Sequence, residues 1–107
     1  GLFTANIVGL RRLKDIIPKL RYRVVVDDEA APFIKDGANV FSKFVLKIDT
    51  NLRAYEEVII VDSKDNLLGT GTLMLSPREV KAFERGMAVR TRWGIEKNTI
   101  QEGQIED

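Results

Sequence analysis

The chain has 107 residues, enough for one domain and too few for a second full core. It is 44% hydrophobic and 31% charged with a net charge of +1, the composition of a soluble globular fold. It contains neither Cys nor His, which excludes disulfides, thiolate chemistry, histidine acid–base catalysis and a zinc site of the usual kind.

No apolar run reaches the roughly 18 residues that cross a bilayer. Gly1, Leu2 and Phe3 do not open a signal peptide, so a cytoplasmic setting and no membrane contact are expected. From Thr4 to Ile17, Ile7, Leu10, Leu13 and Ile16 recur at helical spacing, with Arg11, Arg12 and Lys14 on the opposite face and Pro18 as the stop. Tyr22 to Val26 is short and β-branched and reads as a strand. Asp28 is placed to cap a helix running through Phe33 to about Lys35, closing near Asp36 and Gly37. Phe41 to Ile48 alternates as one strand, with Phe44, Leu46 and Ile48 on one face and Lys43, Val45 and Lys47 on the other.

Glu57 to Val61 is a second β-rich run, and Asp62 to Asn66 is a polar turn leading into a strand from Leu67 to Leu75. Gly69 and Gly71 lie on one face of that strand, which marks a bend or a close backbone approach. Ser76, Pro77, Arg78 and Glu79 spell a capping box, opening a helix to about Arg85 that buries Val80 and Phe83 and stops at Gly86. Met87 to Arg92 is the last strand, and from Ile95 the polar, acidic residues predict a mobile tail. The expected divisions are a helix and linker at 1–21, a domain at 22–94 and a tail at 95–107. Strands joined by short links outnumber helices, which implies a small, mainly β mixed barrel with helices at its ends.

Charge is uneven along the chain. Residues 1–26 hold six basic and one acidic residue, 27–66 five and nine, 67–94 five and two, and 95–107 one and four. Two basic blocks that meet in the fold would make a field suited to nucleic acid; an uneven but solvated surface fits the same count. In the stretch Lys35 to Phe41, Gly37 permits close approach of a ligand backbone, Asn39 both donates and accepts, and Lys35 and Lys43 flank the turn. An ordinary helix end followed by core residues Val40 and Phe41 explains the same string. Arg90 and Arg92 share one face of the last strand, suited to phosphates or bases, or simply to water. Arg78, Lys81 and Arg85 form a basic row on the second helix. Asp27, Asp28 and Glu29 read as caps and dipole partners, not metal ligands. No phosphate-binding loop, dinucleotide fingerprint or nucleophile elbow occurs, so no catalytic residue, metal or cofactor is assigned.

Several strings taken together resemble a PUA domain: Arg23 to Asp27, Pro32 and Phe33, Gly37 to Phe41 with Lys43 to Val45, and Glu57 to Val61. The likeness continues through Leu67 to Gly71 and Ser76 to Glu79 to Phe83–Val89. It is strongest to the C-terminal domain of archaeal tRNA-guanine transglycosylase and its relative archaeosine synthase. The resemblance implies a pseudobarrel of short, mostly antiparallel strands with two small helices, binding structured RNA, in the transglycosylase the acceptor end of tRNA. Carried over by position, the RNA-facing loop falls at Gly37, Ala38 and Asn39 and the neighbouring strand at Ala88 to Arg92. With the flanking cations, the expected RNA-binding set is Lys35, Gly37, Ala38, Asn39, Lys43, Arg78, Arg90 and Arg92. Residues 1–21 are similar to the end of the preceding domain in those proteins. The catalytic barrel of the transglycosylase has no counterpart here. The expected role is therefore a non-catalytic RNA-binding domain or subunit supporting tRNA modification, with RNA and a separate catalytic subunit as partners. A protein-interaction module docking such a subunit is the alternative.

Overall fold

The computed structural model describes residues 22–96; the helix expected at 4–17 and most of the acidic tail lie outside them. Six strands form one sheet: β1 (Arg23–Val26), β2 (Val40–Phe41), β3 (Val45–Ile48), β4 (Glu57–Val61), β5 (Leu67–Leu73) and β6 (Met87–Gly94). Two short helices interrupt them, α1 (Ala31–Lys35) and α2 (Pro77–Ala82). The order across the sheet is β2-β6-β5-β4-β1-β3, antiparallel except for β1 beside β4. A 3₁₀ turn at Ser42–Phe44 connects the two outermost strands, so the sheet curls into a nearly closed pseudobarrel.

Alternation along β4 accounts for two cores. Val58 and Ile60 point inward with Val24, Val26, Ile34, Leu68, Leu73, Val80 and Val89. Ile59 and Val61 face the other way and join Leu67 under Tyr22, Val25 and Trp93. Each such buried aliphatic side chain contributes about 1.5–3 kcal/mol relative to exposure. Gly69 and Gly71 sit where β5 passes β6: a Cβ on Gly69 would strike the Trp93 carbonyl, and one on Gly71 the Arg90 carbonyl. The register slips between Thr70 and Gly71 at this crossing, as the glycine spacing predicts.

The β4–β5 turn is held from several sides. Asp62 Oδ1 accepts from the amides of Lys64 and Asn66, both at 2.9 Å, and Oδ2 accepts from the Asn66 side chain at 3.0 Å. Asp65, at φ 65°, accepts from Arg23 Nε at 2.8 Å. Arg23 is only 3% exposed, whereas Asp65 is 39% exposed. At α2 both halves of the capping box form, with Glu79 N donating to Ser76 Oγ at 3.2 Å and Ser76 N to Glu79 Oε1 at 3.0 Å.

Four expectations need correction. The strand expected from Phe41 to Ile48 is two strands, because the chain leaves β6 at Phe41 and joins β1 at Val45, and the 3₁₀ turn spans that change of neighbour. Leu46, expected on one face with Phe44 and Ile48, is 54% exposed while those two are half-buried. α1 starts at Ala31 without a side-chain cap, since Asp28 instead accepts from the amide and hydroxyl of Ser63. α2 ends at Ala82, leaving Phe83 53% exposed.

Asp65→Asn keeps a residue that tolerates positive φ while removing the charge opposite a buried guanidinium. It is expected to lower the unfolding free energy by about 2 kcal/mol in urea titrations. An unchanged midpoint would show that Arg23 does not depend on that carboxylate.

Candidate nucleic-acid interface

The end of α1 is built by its own carbonyls. Asp36 N and Ala38 N donate to Phe33 O at 3.2 and 2.9 Å, and Gly37 N donates to Ile34 O at 2.9 Å. The chain reverses through Gly37 at φ 98°, a conformation a Cβ would strain. Asn39 then reaches the last strand, its Oδ1 accepting from Thr91 N at 3.0 Å, and Val40 pairs with Val89. From beneath, Gly94 packs against the same turn: a Cβ there would lie 2.5 Å from Lys35 O and 2.7 Å from Gly37 N. The loop and β6 are thus joined by a side-chain hydrogen bond, a strand pairing and a backbone contact.

On the outer surface of this unit Asp36, Ala38 and Asn39 are exposed, as are Arg90 and Arg92. Arg92 is 56% exposed and its Nη1 donates to Glu57 Oε1 at 3.1 Å. Thr91, between the two arginines, carries a buried hydroxyl with no hydrogen-bond partner among the described residues. Lys35 is half-buried and its charge reaches Asp62 in the β4–β5 turn. Burial pushes the Asp62 carboxyl up, but hydrogen bonds from Asn66 and Lys64 and the Lys35 charge outweigh it, so its pKa lies below the ordinary 3.8.

Of the eight residues expected to bind RNA, Lys35, Gly37, Ala38, Asn39, Arg90 and Arg92 lie on α1, its loop and β6. Of the other two, Arg78 lies on α2 and Lys43 beside it. Lys43, its ammonium 5.0 Å from the Phe44 ring centre, lines a groove between β3 and α2. Arg78 lines a smaller hollow with Thr50, Leu52 and Lys81. The acidic trio is engaged in turns: Asp27 accepts from Glu29 N at 2.9 Å, and Asp28 holds Ser63.

Sequence reasoning passed over Phe33, which is 68% exposed on α1. The signal was present: Ala31 and Ile34, three apart, are the buried positions of α1, which turns Phe33 outward. Gly94 was also missed, since the strand was expected to stop at Arg92.

The PUA domain model matches residues 22–95. This chain belongs to the PUA domain family. It is 52% identical over 97 residues to the tRNA-guanine(15) transglycosylase of Thermococcus onnurineus and 48% identical to that of Thermococcus kodakarensis. Each match covers 91% of this chain but 17% of the relative, so the chain spans less than a fifth of those enzymes. Among solved structures, a hypothetical protein of Pyrococcus horikoshii superposes with a TM-score of 0.76 at 28% identity, covering 89% of this chain and 59% of that one. A chain of an archaeal box H/ACA sRNP complex superposes at 0.66 with 25% identity, covering 68% and 24% respectively. The PUA pseudobarrel anticipated from the sequence is the observed fold, and among the described residues no helix is long and apolar enough to cross a membrane.

Because the folded pKa of Asp62 is depressed, its contribution to stability is complete above the unfolded value of 3.8 and is lost as pH falls through the folded pKa. Asp62→Asn is therefore expected to cost up to about 1 kcal/mol at neutral pH and progressively less below about pH 4. Denaturation midpoints of both proteins across that range test the sign.

Proposed function

We propose that this PUA domain is a non-catalytic RNA-binding unit, residues 22–94, that holds tRNA near its acceptor end in support of base modification in the cytoplasm. The observation that carries the reading is the joined surface of the α1 loop and β6. It brings a glycine turn, Asn39 and two arginines together, with the exposed ring of Phe33 on the helix that leads into the turn. The names of the transglycosylase relatives and the ribonucleoprotein neighbour support RNA as the ligand and tRNA as its class.

The geometry limits how such binding works. The amides of residues 36–38 are turned into α1 and cannot cradle a phosphate. Contacts must come from side chains and from the uncluttered Gly37 surface. Asn39 spends its oxygen on Thr91 and makes no other hydrogen bond among the described residues, which leaves its Nδ2 as a donor. Among the described residues Arg90 has no ion-pair partner, while Arg92 is shared with Glu57. Arg90 therefore meets a phosphate without first giving up an internal contact. Phe33 offers a face on which an unpaired base stacks, which favours a single-stranded end over a closed duplex. The chemistry of modification lies with other residues, since this surface has no nucleophile paired to a base.

Gel-shift titration against tRNA with and without its single-stranded 3′ end tests the proposal. Arg90→Ala/Arg92→Ala is expected to weaken both RNAs about tenfold or more at low salt and to flatten the salt dependence, with stability changed by less than about 1 kcal/mol. Phe33→Ala is expected to weaken only the tRNA that keeps its 3′ end. Unchanged affinity in the double variant would remove the last strand from the RNA face.

A further inference from the structure

β3 is the outer strand of the sheet, paired with β1 alone among the described residues. An open groove of about 660 Å³ runs beside it, walled on the far side by Val80, Lys81, Ala82 and Glu84 of α2 and its end. Val45, Leu46, Lys47 and Ile48 all line it. Successive strand residues point to opposite faces, so a groove that touches four in a row follows the strand's edge, where one set of its main-chain groups is unpaired. Leu46 stands there 54% exposed. At the head of the groove Ser42 is 5% exposed, and its buried hydroxyl has no hydrogen-bond partner among the described residues.

We propose that this groove takes an extended acidic peptide segment of a protein partner, added as a strand along β3. Three lysines, Lys43, Lys47 and Lys81, rim it against the single acid Glu84. Lysines on an edge strand ordinarily discourage pairing between like copies; a segment carrying carboxylates reverses that repulsion and turns it into selection. The apolar side chains of Val45, Leu46 and Val80 in the lining receive alternate side chains of the added strand. RNA fits this groove poorly, because its lining has neither an arginine nor an aromatic ring on which a base would stack. The groove shares only Lys43 with the expected RNA-binding set, so the two readings stand or fall separately.

The test uses the full chain and a fluorescein-labelled peptide of alternating Glu and Val, with its Gln–Val counterpart and an oligouridylate as controls. Anisotropy and amide hydrogen exchange are read together. The acidic peptide is expected to saturate, to slow exchange of the 45–48 amides, and to bind at least about tenfold more tightly than the neutral peptide. Lys47→Glu/Lys81→Glu, both exposed, is expected to weaken it about tenfold with the melting temperature and tRNA binding retained. The proposal is overturned by absence of saturable binding, by equal affinity for the neutral peptide, or by oligouridylate protecting the same amides in preference. Full protection of the 45–48 amides in the free chain also overturns it, since another part of the chain would then already occupy the edge.

Discussion

The last strand has to pass within contact distance of two other stretches of main chain, and that crowding organises the molecule. Along its length β6 crosses β5 so closely that side chains at positions 69 and 71 would collide with its carbonyls, and at its end Gly94 lies under the turn that leaves α1. The crossing bends the sheet and shifts its register, which directs β6 toward α1 and away from a flat continuation of β5. The contact at Gly94 then fixes the height of the Gly37 turn above the strand. Asn39 and Val40 complete the connection in the same few residues. The surface read as the RNA face is largely a consequence of main-chain packing, and Asn39, through its bond to Thr91, is the member of the face whose side chain also ties the frame together.

This explains which parts were legible in the sequence. Local chemistry with a short reach was readable: the capping box at Ser76 and Glu79, the polar turn at Asp62 to Asn66, the paired glycines on β5. The capping box and the turn depend on neighbours within a few positions; the glycines make room for the later strand β6, but their own spacing announced the close approach. What failed depended on partners far along the chain. Asp28 is a good cap by type, yet Ser63, 35 residues on, offers both an amide and a hydroxyl, and the helix starts later without it. Period-two spacing at Phe41 to Ile48 is genuine on both sides of a break, but spacing does not reveal that the two halves pair with opposite ends of the sheet.

Charge counting showed the same weakness. Arg23 belongs to the basic block of residues 1–26, but it is buried against Asp65 and contributes almost nothing to a surface field. The second block, residues 67–94, divides between α2 and β6, so Arg78, Lys81 and Arg85 are separated in the fold from Arg90 and Arg92. A net count over a segment assumes that its charges share a surface, and β–α–β chain reversals are where that assumption breaks. Candidate cations chosen by spacing within one element survived better: Arg90 and Arg92 do share the exposed face of one strand.

Two candidate surfaces of different character then follow from one topology. Joining the outermost strands through a 3₁₀ turn, without hydrogen bonding them to each other, leaves the barrel unsealed. On one side of that turn β2 is occupied by β6 and fixes the loop; on the other β3 has an open edge among the described residues. The first surface is rigid, cationic and aromatic, and its amides are already used, so it can recognise a polyanion only through side chains. The second has main-chain groups unpaired among the described residues beside aliphatic walls, which is the feature behind the proposed recognition of a polypeptide through its backbone. The two proposed roles, RNA on one surface and a polypeptide on the other, are compatible with one incompletely closed barrel, because the β3 edge lies across the 3₁₀ turn from the α1 loop and β6.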